Sequence, residues 1–299
     1  MLGSWPRIVI APIAAVSLLS IGTMETGLAR HIGGHASKHA SAKPHRLRLA
    51  ALTPFMPKPA VPNKPAAACD PATFRIVLDV GHTAQSEGAI SARNVAEFDF
   101  NLRLARRIAE RLKADGFAAT RLLVTQGRST PGLFRRVAAA NDLQADLFLS
   151  IHHDSVPNSL LENWDFEGRK SHFSDRFGGY SVFVSRENPE FGTSLKFAEL
   201  VGREMKAQGL DYAQQYTQAI MGRYRHELLD RETGVYRYDE LVVLRKTRMP
   251  AVLLEAGSII NRNEELKMSS PERQDIIANS VTTAVKEFCD PRWAILGPL

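Results

Sequence analysis

The sequence predicts an α/β domain with a mixed, mostly parallel sheet and helices on both faces. Three observations carry this. Three short apolar runs, Phe74 to Val80, Ala145 to Ile151 and Ala251 to Leu254, are rich in β-branched residues and each stops at a polar side chain, as buried strands do. Between the first two runs, strand and helix patterns alternate over about 80 residues, the rhythm of strands joined by helical crossovers. Finally, the net charge of +6 lies entirely in residues 1–70, where eight Lys/Arg face only Glu25 and Asp70. The remainder is neutral, which argues against a nucleic-acid-binding fold despite the basic whole.

Taken in order, Arg7 precedes an apolar stretch from Ile8 to Ile21, too short to span a bilayer comfortably. With the small residues Gly27 and Ala29 ahead of Arg30, residues 1–29 read as a cleavable secretory signal, leaving no stable membrane span after cleavage. Residues 30–70 have no apolar period and are rich in Ala, Pro, Lys and His, a composition that cannot offset the entropy of ordering, so they read as a flexible basic tether. The folded unit is expected over 71–290, with 291–299 as a tail.

Within it, the first strand ends at Asp79-Val80-Gly81-His82, and a polar loop follows to Asn94. Glu97 opens a helix in which Phe98, Leu102, Ala105, Ala109 and Leu112 recur at helical spacing until Gly116 stops it. Phe117 to Thr125 reads as a strand, and Thr130-Pro131 starts a helix that ends near Asn141 and feeds the strand ending at His152-His153-Asp154. Tyr180 to Ser185 is a further strand, Leu195 to Gln208 an amphipathic helix, and the strand to Glu255 leads to a last helix, Ile276 to Phe288. Two stretches, 155–179 and 211–239, break the rhythm and read as long inserted loops beside the strand ends, where lids and binding surfaces occur.

The only cysteines, Cys69 and Cys289, bracket this region. A last helix running back along its strand ends near the start of the first strand, so an exported protein should join them in a disulfide. The chain-entropy model gives about 5 kcal/mol for so long a loop, as an upper figure.

Ligands in open α/β sheets bind at the carboxyl ends of the strands. Those ends carry His82, His152 and Glu255, and Glu97 follows the first loop. Each has an ordinary reading: a hydrogen-bonded loop histidine, or for Glu97 a partner of the helix dipole. Together they also meet the needs of a hydrolytic zinc site. Two histidines and a carboxylate hold the ion and leave a position for water, while a further carboxylate moves the proton. His82, Glu97 and His152 suit the first set and Glu255 the second.

At these residues the chain resembles the zinc-dependent N-acetylmuramoyl-L-alanine amidases of the Amidase_3 type. The family's strand ending in Asp-Pro-Gly-His-Gly corresponds to Asp79 to Thr83, and its Glu-x-Asp-x-Asn-Leu to Glu97, Asp99, Asn101 and Leu102. Leu133, Arg136, Ala140 and Asn141 match a third block, Ala145 to His152 a fourth, and Pro250 to Gly257 a fifth, followed by Asn261 and Glu264. The resemblance implies one zinc ion on His82, Glu97 and His152, with Glu255 as the catalytic carboxylate. It implies cleavage of the amide between N-acetylmuramic acid and L-alanine of peptidoglycan, in wall remodelling or daughter-cell separation, by a periplasmic enzyme with a single domain and about six strands. Some members carry an inserted segment that covers the zinc until an activator moves it. A periplasmic activator is therefore a candidate partner, and Glu162, Asp165 and Glu167 of the first inserted loop are candidates for a blocking carboxylate. The alternative is that both loops are substrate-binding walls, the arginines and tyrosines of the second suiting stem-peptide carboxylates and a sugar face. Departures from the pattern are Val80 for proline, Thr83-Ala84 for glycines, and His153-Asp154, where His153 is either a competing ligand or an outward-facing neighbour. The alternative readings are a silent or autoinhibited peptidoglycan-binding module and a zinc carboxypeptidase of the same envelope.

Overall fold

The computed structural model describes residues 69–293. The expected signal (1–29), nearly all of the tether (30–70) and most of the C-terminal tail lie outside the described residues.

Seven strands form the central sheet: β1 (Ile76–Val80), β2 (Arg121–Leu123), β3 (Leu147–Asp154), β6 (Ser181–Val184), β7 (Leu228–Asp230), β8 (Val235–Arg237) and β9 (Ala251–Ser258). Their order across the sheet is β2-β1-β3-β9-β6-β8-β7. The first four are mutually parallel, β6 is antiparallel to β9 and parallel to β8, and β7 closes the edge antiparallel to β8. Two further strands, β4 (Glu162–Phe166) and β5 (Arg169–Phe173), make a separate antiparallel hairpin.

The six helices are α1 (Glu97–Ala114), α2 (Ser129–Asp142), α3 (Phe191–Ala207), the single turn α4 (Val242–Arg245), α5 (Arg262–Ser269) and α6 (Pro271–Cys289). Side chains alternate across the central strands. Ile76, Leu78 and Val80 with Leu147, Leu149 and Ile151 face a core built with α1, α3 and α6. Val77, Phe148 and Leu253 face a second core built with α2 and α4. Helices on both faces of a mostly parallel sheet are what the sequence predicts.

The differences are local. α1 buries Leu104 and Ile108 more deeply than Leu102, and α3 starts four residues earlier than its periodicity indicates. Neither long inserted stretch is a plain loop. Residues 155–179 hold the β4–β5 hairpin, and 211–239 hold two 3₁₀ segments together with β7 and β8, which extend the sheet. At the far edge the Cys69–Cys289 disulfide is present, with the Cα atoms 5.0 Å apart, and the Cys69 N–H donates to the Cys289 carbonyl at 2.9 Å. It joins the approach to β1 to the end of α6.

No helix among the described residues is long and apolar enough to cross a membrane.

Candidate metal centre

The carboxyl ends of β1, β3 and β9 converge on one cleft of about 680 Å³, bordered by His82, His152, Glu255, Tyr216, Arg223, Tyr224 and others. Strand parity explains who faces it. His152 shares a face with Phe148, as Glu255 does with Leu253, and the two are register partners on neighbouring strands. The residue after His152 must point the other way, and His153 is indeed buried against α1, its ring beside Phe100 and its Nδ1 2.8 Å from Asn101 Oδ1. It is not part of the donor cluster.

His82 follows the last residue of β1 by two positions and adopts a positive φ of 64°, a conformation that costs a non-glycine residue energy and must be enforced. The enforcement comes from Arg136 of α2, which is buried. Its guanidinium donates to Asp79 Oδ1 at 2.6 Å and to the carbonyls of Val80 and His82. Asp79 is also buried and accepts from Ser150 at 2.7 Å. One charged pair thus clamps the turn that presents His82. Thr83, where the family pattern has glycine, is buried with its hydroxyl donating to the Gly127 carbonyl at 2.7 Å.

Glu97, first residue of α1, is held from several sides. Its Oε1 accepts from Asn101 Nδ2 at 3.1 Å and from the His153 amide at 3.3 Å, and lies 3.0 Å from His152 Nδ1. Its Oε2 accepts from the Ala89 amide at 3.0 Å and lies 3.0 Å from His82 Nε2. One ligand atom from each of His82, Glu97 and His152 falls within 4.8 Å of the others. Burial alone would raise the Glu97 pKa, but its hydrogen bonds to His152 and His82 outweigh this and hold the carboxyl well below its usual range. Burial lowers the His152 pKa, favouring the neutral imidazole that a metal needs.

The surroundings fit a metal ion. The donor set is the two-histidine, one-carboxylate type that suits zinc. Small residues leave the space: a Cβ on Gly81 would overlap the His152 ring, and one on Gly88 would overlap the Glu97 carboxylate and the His82 ring. Gly88 also has a φ of 81°. Second partners orient the donors, with Asn101 bridging Glu97, the Gly81 carbonyl and His153.

Glu255 borders the same cleft from β9, the strand next to that of His152. Burial, together with the charges of Asp154 and Glu97, raises its pKa well above the usual carboxyl value. Its Oε2 is buried with no hydrogen-bond partner among the described residues. Asp154 is also buried, accepting from the Tyr216 hydroxyl at 2.6 Å and from the Ser155 amide at 2.7 Å. Burial pushes its pKa up to about 7. Glu162, Asp165 and Glu167, considered as blocking groups, are exposed on the β4–β5 hairpin and its turn and do not border the cleft. The hairpin instead braces the loop after His82: Trp164 Nε1 and the Ser171 hydroxyl both donate to the Ala92 carbonyl at 2.8 Å.

Sequence reasoning brought His82, Glu97, His152 and Glu255 to one edge. Arg136 and Asn101 enter there only as pattern positions. The tyrosines and arginines of 211–239 read as a substrate-binding surface, without Tyr216 or its packing partners singled out.

A mostly parallel α/β sheet with a His/Glu/His cluster and a nearby carboxylate toward its strand ends has the components of a metal-assisted hydrolase. The chain belongs to the Amidase_3 family, described as N-acetylmuramoyl-L-alanine amidase, which matches residues 76–287. It is 25% identical over 234 residues to the N-acetylmuramoyl-L-alanine amidase AmiC of Escherichia coli O6:H1, covering 71% of this chain and 52% of AmiC. The chain therefore spans about half the length of that relative. Among solved structures it is similar in fold to the amidase Ami1 of Mycobacterium smegmatis, with a TM-score of 0.57, 20% identity, and coverage of 74% of this chain and 99% of Ami1. It is also similar to the CwlD amidase of Clostridioides difficile, solved in complex with the GerS lipoprotein, with a TM-score of 0.52, 18% identity and coverage of 72% and 98%.

Proposed function

We propose that this chain hydrolyses the amide between the lactyl group of N-acetylmuramic acid and the L-alanine of peptidoglycan stem peptides, using one zinc ion held by His82, Glu97 and His152. The observation that carries the reading is the pairing, in one cleft, of a three-donor cluster with a buried glutamate oxygen that no described residue satisfies. A buried carboxylate oxygen left unpaired costs about 1–3 kcal/mol, a cost that function can justify.

When bound, zinc supplies Lewis-acid chemistry: it acidifies a water and polarises the scissile carbonyl. The chain's own residues do the rest. Glu255 takes the proton of the attacking water and delivers it to the leaving nitrogen. The C–N bond breaks to a muramoyl carboxylate and a peptide with a free amine. Glu97 stays ionised, and Arg136 keeps the His82 turn in its strained conformation.

The rest of the reading is built on this activity and on the sequence. Residues 1–29 direct export to the periplasm, residues 30–70 space the 71–290 domain from its exit site, and a periplasmic activator protein is a candidate partner. The complex of the CwlD amidase with a lipoprotein is the precedent in the same fold.

The test is digestion of purified peptidoglycan by the protein from Arg30 onward, zinc-loaded, beside Glu255→Ala, with products weighed by mass spectrometry and bound zinc counted. Peptides with N-terminal alanine from the first and not the second are expected. Release of single terminal residues would instead mean a carboxypeptidase, and intact wall with no bound zinc would sink the metal-site reading.

A further inference from the structure

Among the described residues bordering the cleft, Arg223 is the one arginine or lysine. Some exposed arginines elsewhere on the domain are matched with acids, as Arg75 is with Asp146 and Arg186 with Glu227, and others, such as Arg225 and Arg231, are not matched among the described residues. Arg223 has no carboxylate at ion-pair distance among the described residues. It donates instead to the Tyr224 hydroxyl at 2.8 Å, and its guanidinium carbon lies 4.9 Å from the centre of the Tyr224 ring.

These contacts matter because an unpaired exposed arginine normally wanders, and ordering it on binding costs entropy. Here the side chain is already braced, with only one of its five N–H donors engaged. The backbone beneath is also held. Met221 is buried, the His226 amide donates to the Tyr216 carbonyl at 2.9 Å, and the His226 ring packs on Tyr238 at 4.5 Å. Gly222, at φ 53° and ψ −122°, makes a turn that residues with a Cβ rarely adopt, immediately before Arg223.

A planar guanidinium with free donors is suited to a carboxylate, which it can bind through two parallel hydrogen bonds. Resting on the amidase reading above, the leaving half of the substrate is a peptide. Its first residue, alanine, has no side-chain carboxylate, so a matching group belongs to a residue further along. We propose that Arg223, braced by Tyr224, pairs with a free carboxylate of the stem peptide and makes the enzyme discriminate peptides with free carboxylates from their carboxamides.

The experiment uses two synthetic N-acetylmuramoyl peptides of one sequence, with the stem carboxylates either free or all converted to carboxamides. Zinc-loaded wild type should cleave the free acid with a kcat/KM about tenfold higher, the scale of one hydrogen bond to a charged group. In Arg223→Gln the ratio should fall toward one, and Arg223→Lys should keep its sign. Affinities of the same pair for Glu255→Gln, read by calorimetry, should show the same preference without turnover. Equal kcat/KM for both peptides in wild type, or a preference undiminished in Arg223→Gln, overturns this inference and leaves the amidase standing. No cleavage and no binding of either peptide overturns the amidase reading and the inference with it.

Discussion

The two walls of the cleft are built by different physics. The wall that carries His82, Glu97 and His152 is a buried polar network in which Arg136, Asp79, Ser150, Asn101 and His153 satisfy one another through charged or directional hydrogen bonds. The opposite wall, on β6, β8 and the 3₁₀ segments, is an aromatic cluster. Phe183, Tyr216, His226 and Tyr238 meet with ring centres 4.5 to 5.8 Å apart, while Arg223 and Tyr224 stand exposed at its rim. Directional bonds fix atoms to fractions of an ångström, as metal ligation demands. Aromatic packing sets a surface and leaves its rim free to meet a ligand. The proposed chemistry therefore suits the first wall and the proposed recognition the second, with Glu255 in the same cleft.

The largest break in this arrangement comes from Glu255→Gln. It removes the group proposed to move the proton while keeping the side chain's size, so kcat should fall by about 10²–10⁴-fold. Bound zinc, counted by elemental analysis, should be retained, because Glu255 is outside the donor cluster. Arg136→Leu attacks the ligand wall from beneath. It leaves Asp79 charged and buried without its partner, a loss of about 3–5 kcal/mol in a denaturant titration. Zinc affinity should fall with it, since no other described residue donates to both the Val80 and His82 carbonyls.

A control lies away from both walls. Replacing Cys69 and Cys289 together by serine should lower stability by about 2–5 kcal/mol. The kcat/KM of the remaining folded protein should not change, because the disulfide sits at the far edge of the sheet. A change in kcat/KM would mean that the strand ends depend on the closure of the termini.

The fate of each sequence expectation follows the same division. β1, β3 and β9 were legible because fully buried strands leave unbroken apolar runs, and His82, His152 and Glu255, near their carboxyl ends, border the cleft. The Cys69–Cys289 pairing was legible from topology. β7 and β8 were not, since three residues each are too few to show a period, and their pairing is decided by β6 beside them. The resemblance singled out Arg136 as a pattern position, but nothing local in the sequence showed that it is buried and clamps the turn while the adjacent Arg135 is exposed. Only the Asp79 carboxylate, distant in sequence, makes that distinction. The acids of 162–167 read as candidate blocking groups because the resemblance implies an inserted segment over the site and they lie in the first insertion, yet the hairpin carries them to the surface.

Asn101→Leu probes a smaller effect on the ligand wall. It removes the bridge from Glu97 to the Gly81 carbonyl and to His153, so the donors lose orientation but not identity. Zinc affinity should drop by about 10–100-fold, measured by competition with a chelating dye. An unchanged affinity would show that the Ala89 and His153 amides suffice to hold Glu97.

The smallest effect should come from the recognition wall, with Tyr224→Phe. The ring and its stack under Arg223 remain, and only the hydroxyl that accepts from the guanidinium is lost. Both residues are exposed, so the melting temperature should not move. One exposed hydrogen bond is worth about 0.5 kcal/mol here, equivalent to roughly a two- to threefold rise in KM for the free-acid muramoyl peptide. Because the lost bond braces Arg223 and touches no reacting atom, kcat and zinc content should hold. A fall in kcat at constant KM would place Tyr224 with the chemistry and remove the distinction between the two walls.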